Sequence, residues 1–420
     1  MKICVWGDEL AGWVATAHLA GYGNEVIKAG SALVPAESAI RIEPGLMERI
    51  EQGIAAGRIR SSEEEDPFSA EIHWLAIGPG ELEAASEIVA HLSAVHQGAL
   101  LVVNQSNLGT GASDELQARL EQSRNQHVVY LPDMLQGGQA MRQFAQPEVL
   151  LVGCESESAG TMLTALMRPF TREGTEVRLM SRREAEFTKF AITGMLALRL
   201  GYINELAMLA DHVGVDIETV RDGMSTDQRV GPHYLSPGCG FGGHHFTQYI
   251  EGLAGLLSKT RGSTLLETVL KQNEQHKELP FRKLWQHYRC NLQGRRIAIW
   301  GLAFKPGVAT VESAPSLRVV DALLAQGAII QLHDPEALED FRFHYGEQQQ
   351  LVYCDKPYDA VDGVDALLLL TAWPEYWSPN YTELRRLMRD PVIVDGRNVY
   401  DPHLLHDLGF TYYGVGRAGH

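Results

Sequence analysis

Residues 2–12 read Lys2-Ile3-Cys4-Val5-Trp6-Gly7-Asp8-Glu9-Leu10-Ala11-Gly12. Lys2 to Trp6 is an apolar run of strand length, and Gly7 opens a tight turn. Leu10 to Ala20 then carries a helical pattern, and Glu25 to Lys28 reads as a second strand. Strand, turn, helix, strand at this spacing predicts a parallel sheet with helices on its faces. Further strand-like runs lie at Ile72 to Ile77, Leu100 to Asn104, Val128 to Leu131 and Val149 to Gly153.

From about Arg182 the pattern changes. Glu184 to Val213 is a long run of helix formers, with apolar residues such as Phe187, Phe190, Met195, Tyr202 and Leu206 at three- and four-residue spacing. A glycine-rich stretch, Gly231 to His245, interrupts the helical region, which resumes to about Leu292. A second α/β pattern follows. Its strands are Arg296 to Trp300, Ile329 to His333, Ala366 to Leu370 and Val392 to Asp395, and Ser316 to Leu324 is helical. The expected division is 1–181, 182–292 and 293–420: two Rossmann-like doubly wound α/β domains joined by a long central helix and a helical dimerisation region.

The bulk numbers limit what such a chain can do. Its 420 residues exceed the size of a single core. Asp and Glu total 53 against 36 Lys and Arg, a net charge of -17. That field repels phosphate polymers and anionic lipid, so no nucleic acid and no membrane is expected as a partner. An anionic ligand would need a local basic site. The five cysteines, at 4, 154, 239, 290 and 354, form no short-spaced pair and no even framework. No signal peptide and no spanning apolar run is visible, and the expectation is a soluble cytoplasmic protein.

The turn Gly7 to Gly12 has the context of a dinucleotide-binding fingerprint, G-x-G-x-x-G. Gly7 and Gly12 are its first and third glycines. The second, which lets backbone approach a pyrophosphate, is Glu9. A carboxylate there stands at the helix end that receives phosphate. The acid that would hold a ribose at the end of the second strand is replaced by Ala29. Losing the acid alone would be compatible with a 2′-phosphorylated cofactor held by Lys28. Losing both points to loss of dinucleotide binding.

The remaining motifs resemble the UDP-glucose/GDP-mannose dehydrogenase family along nearly the whole chain. Glu43-Pro44-Gly45-Leu46 is similar to the family's E-P-G-L. Leu131-Pro132-Asp133-Met134-Leu135, with Gly138 and Ala140, is similar to N-P-E-F-L-x-E-G-x-A. Phe187 to Glu205 resembles the central helix. Asp227-Gln228-Arg229-Val230-Gly231 matches D-x-R-I-G, and the run from Pro237 matches P-G-x-G-[FY]-G-G-S-C-F-x-K-D. Gly301 to Lys305, GLAFK, and Asp395 to Asn398, DGRN, complete the set.

The resemblance implies oxidation of C6 of a nucleotide-bound hexose by two hydride transfers to NAD. A cysteine nucleophile carries the second transfer through a thiohemiacetal and a thioester. Carried over position by position, that cysteine is His245, its preceding serine is His244, and the following Lys and Asp are Gln248 and Tyr249. Lys189 stands at the family's catalytic lysine, and Asp133 at the first Glu of its P-E-F-L segment. On the substrate side the resemblance implies Leu135, Arg229 (donated by a neighbouring subunit), Gly240, Gly242, Gly243, Lys305 and Arg397. Arginine and lysine suit a diphosphate. His244, His245 and Cys239 lack metal-ligand spacing, and no metal is expected.

Three readings follow. The first is a homodimeric family member that has lost four-electron oxidation and keeps a nucleotide-sugar site. The second is an oxidoreductase with altered two-electron chemistry, using NAD or NADP, His245 and Lys189. The third is a non-catalytic partner of an active paralogue.

Overall fold

The computed structural model describes residues 1–30, 32–171 and 174–417, apart from the side chains at 38 and 39. It divides into two compact units, Met1–Ile192 and Thr193–His420.

The first unit is built on eight strands: β1 (Lys2–Trp6), β2 (Glu25–Lys28), β3 (Ile59–Ser61), β4 (Ile72–Leu75), β5 (Leu100–Asn104), β6 (Gln126–Tyr130), β7 (Val149–Gly153) and β8 (Glu176–Met180). Their order is β3-β2-β1-β4-β5-β6-β7-β8. All pairings are parallel except β6 with β7, which meet antiparallel at Tyr130 and Gly153. The central strands are largely apolar and buried because helices cover both sheet faces. Alternate side chains then enter opposite cores. Leu101 and Val103 join one cluster, while Leu100 and Val102 join the other.

The 32-residue helix Arg182–Val213 follows β8. Its start is anchored within the first unit. The buried Glu186 carboxylate accepts from Gly111 N at 2.6 Å and Ser113 N at 2.8 Å. It thereby satisfies amides at the start of the helix Ala112–Gln117.

The second unit contains the helices Ile217–Ser225, His244–Arg261, Leu265–Lys277 and Leu279–His287. Its sheet comprises β9 (Arg296–Trp300), β10 (Ile329–His333), β11 (Leu351–Tyr353), β12 (Ala366–Leu369), β13 (Val392–Asp395) and β14 (Thr411–Tyr413). The order is β11-β10-β9-β12-β13-β14, parallel throughout. This is the 3-2-1-4-5-6 order of a doubly wound fold. The end of the chain ties back to the helices of this unit. Ile217 N donates to Gly416 O at 2.9 Å, and Arg417 pairs with Asp216 at 3.1 Å. Among the described residues, no helix is long and apolar enough to cross a membrane.

Candidate functional site

In the first unit, the turn after β1 explains which glycines remain. Gly7 has φ +91°, and a Cβ there would overlap the carbonyl of Ala76 beyond β4. At Gly12 a Cβ would lie 3.0 Å from Ala76 Cβ and 3.2 Å from Gly7 O. Both are demanded by the packing of turn and helix onto the sheet. Position 9 has no such demand. Glu9 caps the helix Leu10–Gly21 with φ -64° and ψ 156°, open to any residue. Its side chain reaches the segment after β4, where Oε1 lies 3.2 Å from a Cβ built on Gly78. The Glu81 carboxylate carbon lies 3.5 Å from that same point. Two carboxylates therefore meet at the carboxyl end of β1 and β4, the crevice where doubly wound sheets bind ligands.

Lys28 takes no part in an open phosphate site. Its side chain is fully buried, lies 4.5 Å from the centre of the Trp13 ring, and pairs with Asp8 Oδ1 at 2.6 Å. The ammonium also donates to Ala29 O at 3.3 Å. This pair links the glycine turn to the end of β2, the two elements that would flank an adenosine ribose. Lys28 was legible as a candidate base, but its pairing with Asp8 was not.

Asp133 and Lys189 come together in the same unit. Burial pushes the Lys189 ammonium below its usual range, and the Asp133 charge opposes that shift. Asp133 Oδ1 also accepts from Leu135 N at 3.0 Å, which shapes the loop carrying Leu135. Glu43, buried, holds the same loop through Gly138 N at 2.6 Å and Met141 N at 3.1 Å. That gives the Glu43-Pro44-Gly45-Leu46 segment a structural task, which no sequence signal in this chain disclosed.

In the second unit, the glycine loop docks against two segments of the sheet domain. A Cβ on Gly242 would overlap the carbonyl of Ser313, and one on Gly243 would come within 2.7 Å of the Phe304 ring. At Gly240 it would stand 2.9 Å from Asn273 Oδ1. The protein's own packing thus accounts for glycine at all three positions. The result is a junction. Lys305 follows Phe304, with Nζ 5.8 Å from its ring centre. Arg397 lies along Gly238, where its Nη1 is 3.2 Å from a built Cβ.

Arg397 is unusually constrained for a cation. Its Nε donates to Leu370 O at 2.7 Å and its Nη1 to Gly240 O at 3.0 Å. Its Nη2 is buried without a partner. Asp395 fixes the turn by accepting from Arg397 N and Tyr400 N, each at 2.9 Å. Near the start of the helix His244–Arg261, Thr247 Oγ1 and Gln248 Oε1 are likewise buried without partners. Buried polar atoms left unpaired call for an explanation, and a ligand or ordered water meets it.

At the position of the family's cysteine, His245 is exposed in the first turn of that helix. His244 is only partly exposed, and its Nδ1 contacts Glu312 Oε1, an imidazole–carboxylate pair that sequence reading missed. Cys239 offers no substitute nucleophile. It is fully buried, and burial pushes its thiol up. Arg229 is exposed and bonded to its near neighbour Asp227, with Nη2 to Oδ2 at 2.6 Å. Among the described residues, no group of three or more His, Cys, Asp or Glu could hold a metal ion.

Comparison with known proteins covers the same ground. Three models of the UDP-glucose/GDP-mannose dehydrogenase family match: its NAD binding domain over 1–171, its central domain over 183–275 and its UDP binding domain over 298–402. The chain is 36% identical to the UDP-glucose 6-dehydrogenase of Pseudomonas aeruginosa, covering 100% of this chain and 99% of that protein. It is 30% identical to the UDP-glucose 6-dehydrogenase TuaD of Bacillus subtilis, over 99% of this chain and 93% of that one. Among solved structures, a UDP-glucose dehydrogenase from Pyrobaculum islandicum superposes with a TM-score of 0.85 at 27% identity, covering 99% of this chain and 98% of that one. A UDP-D-ManNAc dehydrogenase from Pyrococcus horikoshii gives 0.82 at 21% identity, with 99% of both chains covered, a likeness of fold alone.

Proposed function

The chain belongs to the UDP-glucose/GDP-mannose dehydrogenase family, and on that premise we propose that it binds a nucleotide sugar and has lost NAD-dependent oxidation of it. The observation that carries this reading is at the first turn. The two glycines that packing demands, Gly7 and Gly12, remain, while the position that only a pyrophosphate would require to be glycine holds Glu9. The residues present do not fit a dinucleotide: Glu9 and Glu81 bring negative charge to the phosphate crevice, and the Lys28–Asp8 pair spans the ribose side.

The catalytic segment supports the same conclusion. Imidazole at His245 cannot form the thioester on which the second oxidation depends. Retention of sugar-nucleotide binding is supported by the family's UDP binding domain and by the unsatisfied Nη2 of Arg397 beside the glycine loop. We assign Lys305 and Arg397 to the diphosphate, and Gly240, Gly242 and Gly243 to the wall around the ligand. Three segments, 1–181, 182–292 and 293–420, would then divide the roles of degenerate cofactor domain, dimerisation region and sugar-nucleotide domain.

A homodimer is part of the proposal. On the helix Arg182–Val213, Met195, Tyr202, Leu209 and Val213 are each 56–60% exposed. Their spacing of seven, seven and four puts them on one face. An apolar stripe of this kind suits a second copy, which would bring Arg229 to its neighbour's site. Calorimetry with UDP-glucose and NAD tests the reading: heat of binding from the first and none from the second is the expected result.

A second reading has one observation in its favour. Lys189 and Asp133 remain neighbours. These are groups suited to moving a proton in a two-electron step. It requires a bound dinucleotide, so absence of any melting shift with NAD or NADP removes it.

A further inference from the structure

A polar cleft lies at the other edge of the first sheet. Its cavity of about 340 Å³ is lined by Gly21, Glu48, Arg49, Gln52 and Arg58, among others. Chain direction fixes its place. The helix Leu10–Gly21 starts at the Glu9 turn and runs 12 residues to Gly21, a span of about 18 Å. Arg58 immediately precedes β3, which is parallel to β2. The cleft therefore sits at the amino edge of the strands, away from the crevice that holds Glu9.

Its charges are arranged unusually for a chain of net charge -17. Among the described residues, neither Arg49 nor Arg58 forms an ion pair with a carboxylate. The Arg58 Nε is buried and has no hydrogen-bond partner. Arg49 Nη1 stands 3.2 Å from a Cβ built on Gly21, so the absent side chain leaves room for the guanidinium. Among the described residues the one acid on the lining, Glu48, is held by Gln52, whose Nε2 donates to Glu48 Oε1 at 3.1 Å. A purely structural reading gives Arg49 the task of complementing the carboxyl end of the helix Leu10–Gly21. That covers one guanidinium and leaves Arg58 unexplained.

We propose that this cleft is a binding site for a phosphoryl dianion, seated between the Arg49 and Arg58 guanidinium groups and separate from the nucleotide-sugar site. Two guanidinium groups lining one cavity offer several planar donors, a match for tetrahedral phosphate oxygens. The Arg58 Nε supplies a donor that no described protein atom uses. Glycines at 21 and 53 border the cavity, but Gly53 is already required by packing, since a Cβ there would overlap the Ile59 side chain. The same chemistry would admit free phosphate or a phosphomonoester.

The test uses the full chain and thermal melting at matched ionic strength. Inorganic phosphate and glycerol 3-phosphate are titrated against sodium chloride. The expected result is a melting temperature that rises with phosphate, and an apparent affinity at least about tenfold weaker in Arg49→Gln and in Arg58→Gln. A response to phosphate alone identifies the free ion, and a response to both identifies a phosphoryl site. Lys305→Gln, which alters the proposed nucleotide site, should leave the response intact. Without phosphate, either arginine substitution should not lower the melting temperature, because each removes an unpaired charge. No response beyond chloride overturns the proposal. So does a response lost in Lys305→Gln but kept in Arg58→Gln, or a marked loss of stability in both arginine variants without ligand.

Discussion

Glu9 is the residue on which the functional reading turns. Its backbone conformation needs no glycine, so Glu9→Gly costs the fold little beyond chain entropy. Combined with Ala29→Asp, it should restore measurable NAD affinity, by at least about tenfold, or about 1.4 kcal/mol, over the wild type. Isothermal titration of both proteins checks this, and equal heats would sink the role given to position 9. A second residue-scale expectation concerns His18. It is buried, its Nε2 lies 2.9 Å from Met141 O, and burial lowers its pKa from 6.5 to about 4, with Arg49 adding to the shift. The folded state therefore resists the proton that the unfolded chain accepts. Its contribution is fully present above pH 6.5 and is lost as pH falls toward 4, amounting to roughly 3 kcal/mol. Urea midpoints measured across that range should fall, and His18→Gln should flatten the fall. An unchanged slope in the variant would refute the assignment.

At the level of elements, the glycine loop and the helix that follows it make opposite demands. Gly242 meets the Ser313 carbonyl, so Gly242→Ala should destabilise by about 1–3 kcal/mol through overpacking. Gly255 lies inside the helix His244–Arg261 with nothing within 4 Å of a built Cβ. Gly255→Ala should instead stabilise by about 0.5–1 kcal/mol. Chemical denaturation of the pair settles the contrast, and similar signs would mean the loop is not packed as described. On the exposed stripe, Tyr202→Glu should convert a dimer to a monomer with little change in helix content. Light scattering that finds no mass change would remove this face from the interface.

Legibility also divides by element. Strands β1, β2, β5, β7, β9, β10 and β13 were readable end to end, because each carries a run of apolar residues most of which are buried. The three-residue strands β3, β11 and β14, and the edge strand β8, were not. Ile59-Arg60-Ser61 is three residues with one exposed charge, and β8 alternates Glu176 and Arg178 with apolar residues on an exposed edge. The site was legible where motifs are local, as at Gly7 to Gly12 and Asp395 to Asn398. It was illegible where partners come from distant segments. His244 with Glu312, Glu43 with Gly138 and Lys28 with Asp8 are set by topology, and spacing along the chain does not encode them.

For the molecule as a whole, net charge and placed charge tell different stories. The surplus of acid disfavours broad anionic surfaces, yet Lys305 and Arg397 in one unit and Arg49 and Arg58 in the other are local exceptions. The crevice beside Glu9 follows the bulk sign, and the proposed sugar-nucleotide site opposes it. The account therefore rests on one separation: a nucleotide sugar binds and a dinucleotide does not. The most direct measurement is calorimetric titration of the purified full chain with UDP-glucose and, separately, NAD, followed by mixing all three while recording NADH absorbance. The account predicts heat from UDP-glucose, none from NAD, and no NADH. Saturable NAD binding with sustained NADH production would contradict it.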